Sequence, residues 1–172
     1  MFGKFQSVQI QIVLQLFHRG STRKLYFQAK KFKLVTSMQT FTTEILSVDH
    51  VGIRVTDRDV SRAFYALFGF VETVYFQADQ ANEMETPSGV RINLIMNGAK
   101  RPQNKNILID EPIKLPGITH LALVVDDLNQ LQIWLQANKI AITEGPVQIS
   151  PRRITLFIRD PDGNVLEFNQ LI

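Results

Sequence analysis

Two stretches of the chain alternate apolar and polar positions in the same way. In SVDHVGIRVTD, residues 47–57, Val51, Ile53 and Val55 alternate with His50, Gly52 and Arg54. In GITHLALVVDD, residues 117–127, Leu121, Leu123 and Val125 hold the corresponding places, and His120 corresponds to His50. A period of two predicts a strand in each, packed on one face. Each strand ends at an aspartate seven residues after its histidine, Asp57 or Asp127. A helix-period segment follows, with Val60, Phe64, Leu67 and Phe68 in the first copy and Leu128, Leu131, Trp134 and Leu135 in the second. Phe64 and Trp134 read as core residues. Asp57 or Asp59 and Asp126 or Asp127 suit the N-caps. Gly69 suits the end of the first helix, and Asn138 or Lys139 the end of the second. Shorter strand-like runs come next. Each copy closes on a turn and a strand, PSGVRINLI from Pro87 and PDGNVLEFN from Pro161, which align without a gap and set Asn93 on Glu167. DPDG, residues 160–163, reads as a tight turn.

The repeat predicts an α+β fold of two paired βαβββ modules, about 45–97 and 117–172, joined by a linker of about 98–116. Neither copy buries much alone, so the two should pack into a curved mixed sheet, a trough with helices on its outer faces. Residues 1–44 match neither copy. SVQIQIVLQLF alternates apolar residues with Gln, and STRKLYFQAKKFK is basic without a core pattern. This segment is expected to be a poorly packed basic extension, with Met38 as a natural start; a targeting segment, or an added strand or interface arm, is the alternative. His18 lies here and reads as solvated.

Composition narrows the classes. Apolar residues are 45% and charged residues 20%, as in globular proteins. The absence of cysteine excludes disulfides, zinc–thiolate sites and cysteine nucleophiles. No run of eighteen apolar residues occurs, so no membrane partner is expected, and the cytoplasm is the expected location. The formal charge of +3 is split. Residues 1–43 hold seven Lys or Arg and no Asp or Glu; the remainder holds twelve basic and sixteen acidic residues. The body is therefore mildly acidic and lacks the basic stripe of a nucleic-acid binder.

Strand parity gives the histidines a purpose. His50, Gly52 and Arg54 face away from the helix, as do His120, Ala122 and Val124, and as do Val165, Glu167 and Asn169 on the last strand. If that face curls into a trough, His50, His120 and Glu167 can converge. Two imidazoles and a carboxylate suit a divalent metal with open positions. The bland alternative is a half-buried polar residue at each strand start. A carboxylate inside NVLEF without a partner would be costly, however.

The segments VDHVGIRVTDRDVSRAFYALFGF, GITHLALVVDD and IRDPDGNVLEFNQ together resemble the vicinal-oxygen-chelate superfamily, over roughly residues 45–172. It includes glyoxalase I, extradiol dioxygenases and bleomycin-resistance proteins. The resemblance implies a U-shaped trough and metal ligands from the first and last strand of each module. It also implies frequent homodimers, some sharing the site across chains. Carried over, the positions are His50, Asn93, His120 and Glu167. Asn93 is the departure. Glyoxalase I has a carboxylate there, whereas Asn is a short, neutral, weak ligand, expected near the metal with water completing the shell. The expected function is that of a glyoxalase-like lyase or isomerase. It would act on a small α-oxygenated, anionic substrate through a metal-stabilised enediolate, with Glu167 moving the proton. One divalent ion per site is expected, among nickel, zinc, cobalt, manganese and iron. An extradiol-type dioxygenase and a non-catalytic, bleomycin-resistance-like binder are the alternatives. Arg54, Arg91, Arg153 and Phe157 share the trough face by parity and are candidate substrate contacts.

Overall fold

A computed structural model describes residues 43–172. The alternation at residues 47–57 forms β1 (Val51–Arg54), and α1 (Arg58–Ala66) follows directly. Asp57 caps α1 by accepting from the backbone N–H groups of Asp59 and Val60. After Gly69, whose φ is +84°, come β2 (Val71–Phe76), β3 (Ala81–Glu85) and β4 (Arg91–Ile95). The second copy repeats the order with β5 (His120–Val124), α2 (Leu128–Ala137), β6 (Ile142–Ser150), β7 (Arg153–Arg159) and β8 (Val165–Leu171). Asp127 caps α2, and the helix ends at Asn138, with Lys139 at φ +58°. The fold is thus α+β, two βαβββ modules.

Each module makes its own four-stranded mixed sheet, ordered β1-β4-β3-β2 and β5-β8-β7-β6. The outer pairs β1–β4 and β5–β8 are parallel and the rest antiparallel. Among the described residues the eight strands make two separate sheets, with β1 and β5 each at a sheet edge. The register bears out the repeat. Gly52 stands opposite Asn93 and Ala122 opposite Glu167, equivalent places in the two copies.

Residues Ile45–Ile172 form one compact unit with one core. Ile53, Ile92, Leu94, Leu156, Ile158, Leu166 and Phe168 are buried on the helix-side faces of the sheets. Phe64 and Trp134 pack against that core, as the helix periodicity requires. Phe68 of the first module stacks on Phe168 of the second, centroids 5.4 Å apart, and meets Trp134 edge-on. The opposite face is exposed along β1 and β5 but buried on β8, at Val165, Glu167 and Asn169. His50, Gly52 and Arg54 are exposed, as are His120, Ala122 and Val124.

The turn between β7 and β8 does more than reverse the chain. The Asp160 carboxylate accepts from the backbone N–H groups of Asp162 and Asn164, the Asn164 amide and, across the module joint, the Tyr65 hydroxyl at 3.0 Å. Burial pushes the Asp160 carboxyl up from its usual range and the Tyr65 hydroxyl well up from its own. Asp162 accepts from the Thr56 backbone N–H and hydroxyl. The linker is tied to the same turn by Asn104 to the Pro161 carbonyl and Asn106 to the Gly163 carbonyl. The extension and its candidate start at Met38 lie outside the described residues.

Candidate functional site

His120 opens β5 and Glu167 lies mid-way along β8, on the same face. His120 pairs in register with Val165, two residues before Glu167, so the imidazole reaches the carboxylate diagonally. Nε2 of His120 is 2.8 Å from Oε2 of Glu167. The Thr119 hydroxyl is 2.9 Å from Nδ1 of the same ring. A hydroxyl both donates and accepts, so it serves either ring tautomer. With the proton on Nε2, the ring donates to Oε2 of Glu167 and Thr119 donates to Nδ1; a bound cation would take the place of that proton between ring and carboxylate. The Thr155 hydroxyl donates to Oε1 of Glu167 at 3.2 Å. Glu167 is only 6% exposed, and its oxygens are engaged by His120 and Thr155, which answers the cost of burying a carboxylate. The Phe157 ring meets His120 edge-on at 6.1 Å, forming a wall of this site.

His50 sits just before β1, in the equivalent place. Its Nδ1 is 2.7 Å from Oδ2 of Asp49, and Asp49 also accepts from Arg91 at 2.6 Å. The hydrogen bond from His50 and the Arg91 charge hold the Asp49 carboxyl below its usual range. A carboxylate on Nδ1 fixes the tautomer that leaves Nε2 as an acceptor, the usual second contact of a metal-binding histidine. Asn93 is partly buried, and its carbonyl oxygen has no hydrogen-bond partner. The donor types thus fit a divalent ion, in two halves: His120 with Glu167, and His50 beside Asn93.

One chain does not assemble the halves. Among the described residues, no three His, Asp or Glu side chains come together as a metal-holding group. The module joint brings Arg54, not His50, to the His120 end of β5: the Asn164 amide, next to Val165, donates to the Arg54 carbonyl. His50 stands four residues earlier, on the order of 13 Å along an extended chain. The candidate substrate residues also separate. Arg91 is held by Asp49, Arg54 lines a cleft at the joint, and Arg153 is exposed at the start of β7, four residues from Phe157.

Asp49, Thr119 and Thr155 were not legible as partners. Asp49 and Thr119 directly precede the two histidines, and a carboxylate or hydroxyl beside a strand-opening histidine was the available signal.

The family model of the Glyoxalase/Bleomycin resistance protein/Dioxygenase superfamily matches residues 47–168. The chain belongs to this superfamily. A glyoxalase/dioxygenase from Nostoc punctiforme is similar at 22% identity and a TM-score of 0.58, over 77% of this chain and 99% of that one. TnmS3, an antibiotic binding protein from Streptomyces sp. CB03234, is 22% identical with a TM-score of 0.57, over 76% and 99%. A glyoxylase/bleomycin resistance protein/dioxygenase domain from Frankia sp. EAN1pec is 24% identical with a TM-score of 0.56, over 75% and 94%. At such identities these superfamily structures share the fold alone. Comparison with curated proteins yields no match. Among the described residues, no helix is long and apolar enough to cross a membrane.

Proposed function

We propose that the protein is a metal-dependent enzyme of the glyoxalase type, a lyase or isomerase of a small α-oxygenated, anionic substrate. The observation that carries this is the contact between His120 Nε2 and the buried Glu167 carboxylate; in the other module the equivalent histidine, His50, is held at Nδ1 by its neighbour Asp49. His120 and Glu167 of one chain, with His50 of a second chain, would hold the ion. Asn93 lies alongside, and water completes the shell. The protein in this reading is a homodimer with two such sites. A divalent ion held there would supply Lewis-acid polarisation of the adjacent substrate oxygens. Glu167 takes a proton from the substrate carbon and returns it to the neighbour, with Thr155 orienting the carboxylate. Phe157 walls the site, and Arg153 offers a charge to an anionic substrate.

Elemental analysis of the purified protein tests this reading. About one divalent ion per chain is expected, held by ligands of the usual imidazole and carboxylate kind. His120→Ala and Glu167→Gln should each lose it. A wild-type chain that binds no more metal than His120→Ala contradicts the proposal. A second reading, a ligand-binding protein, has in its favour the likeness to TnmS3, an antibiotic binding protein. Metal-independent binding of an apolar ligand would favour it. Iron with oxygen uptake on a catechol would instead turn the same ligand set to ring cleavage.

A further inference from the structure

Between the edges of β1 and β5 lies a cleft of about 360 Å³, roofed by linker residues Gly98–Leu108. Its volume is in the range of small-molecule sites. Both flanking strands are sheet edges, so half of their peptide groups lack a strand partner. The Val55 N–H donates to the Ile95 carbonyl, which by strand alternation turns the peptides of Gly52 and Arg54 outward, toward the cleft. The Val125 N–H donates to the Asn169 carbonyl, which turns the His120 peptide outward in the same way.

The charges lining this cleft are unbalanced. Arg54, Arg101 and Lys105 face one acid, Asp162. The Asp162 carboxylate is already engaged by Thr56 and Ser61. Lys105 is paired with Glu111 at 3.1 Å, and Arg101 reaches only a backbone carbonyl. Among the described residues, no carboxylate or hydrogen-bond acceptor engages the Arg54 guanidinium. The rest of the wall mixes an apolar part, Val51, Ile53, Ile107, Leu108 and Leu121, with polar groups of Thr56, Asn104, Asn106, Thr119, His120 and Asn164.

The cleft is also preformed. A Cβ on Gly98 would lie 2.8 Å from the Val55 carbonyl oxygen, and one on Gly163 would lie 1.9 Å from that of Asn104. The linker is therefore seated against β1 and against the β7–β8 turn, and the Asn104 and Asn106 side chains tie it there. Asp110 adds a two-pronged ion pair with Arg159, at 2.7 and 2.8 Å.

We propose that this cleft binds a small organic anion, a carboxylate or phosphate monoester on an apolar body, with Arg54 as its cation. A guanidinium fork matches either headgroup with two parallel hydrogen bonds. Outward peptide N–H groups of Gly52 and Arg54 add neutral donors. The apolar wall gives the body a place that inorganic anions cannot use. His120, a ligand in the proposed function, lines one side of the cleft, whereas Glu167 and His50 do not; the cation assigned to the anion is Arg54, not a metal ion.

Titration of ¹⁵N-labelled protein with phenyl phosphate, benzoate and inorganic phosphate tests this. The two aryl anions should shift the amide signals of Gly52, Arg54, His120 and linker residues, and inorganic phosphate should do so at least tenfold more weakly. Arg54→Gln should weaken the aryl anions tenfold or more. Arg152→Gln, which removes an exposed charge outside the cleft, should not. The titrations should agree before and after stripping metal on a chelating resin. Shifts confined to other residues, equal binding by Arg54→Gln, or binding lost on metal removal would each overturn the proposal. Inorganic phosphate binding as tightly as phenyl phosphate would overturn the apolar part of it.

Discussion

Asp49 grips His50 by Nδ1 and is itself gripped by Arg91, so two side chains fix one imidazole. Such outer contacts on metal-binding histidines are typically worth 10–100-fold in affinity. Asp49→Asn should therefore weaken divalent-metal uptake by about 10–100-fold, without the full loss expected of His50→Ala. Calorimetry on both variants checks this, and equal affinity of Asp49→Asn and wild type would contradict it. Asn93 makes the complementary case. Its carbonyl oxygen is buried and unengaged in the place where the other copy has Glu167. Asn93→Glu should supply a fourth ligand and tighten divalent-metal binding at neutral pH. An unchanged or weaker affinity would show that residue 93 does not face the ion.

At the scale of elements, the β7–β8 turn and α1 clamp the modules together. Tyr65→Phe removes one of two side-chain donors to Oδ2 of Asp160. The cost should be about 1–2 kcal/mol, read as a fall of roughly 2–4 °C in Tm per kcal/mol. Phe68→Ala empties the stack on Phe168 and Trp134, and because Phe68 is only half-buried its cost should fall somewhat below the roughly 3–5 kcal/mol of a core phenylalanine. Asp160 also predicts a pH dependence. Its pKa is raised in the folded state, so its contribution is fully present below the unfolded value of 3.8 and is lost as pH rises through the folded value. The stability cost of Asp160→Asn should accordingly be larger near pH 3.5 than near pH 7, by denaturant titration at both. A cost that grows with pH would contradict the burial argument. Strand parity, both N-caps and both helix faces were legible in the sequence because each is a local pattern of period 2 or 3.6. The joint was not. Thr56 meets Asp162 and Tyr65 meets Asp160 about a hundred residues further along, and such contacts leave no periodic trace.

For the whole molecule, the same parity that set His50, His120 and Glu167 on one kind of face said nothing of how two separate sheets are turned. In the proposed reading one chain offers two half-sites, His50 held by Asp49 and His120 held by Glu167. Val124 on β5, Val147 and Ile149 on β6, and Val74 and Phe76 on β2 are large exposed apolar residues. A dimer by light scattering is expected, and a monomer carrying a full complement of metal would contradict the sharing of sites. The most direct test mixes His50→Ala chains with Glu167→Ala chains, each metal-free alone, under conditions that allow subunit exchange. In a mixed dimer, one site would take His50 from the Glu167→Ala chain and His120 with Glu167 from the other, and so be intact. Recovery of tight metal binding, up to half the wild-type content in the isolated mixed dimer, is the predicted result. A mixed dimer that stays as metal-free as its two parents would contradict the shared site.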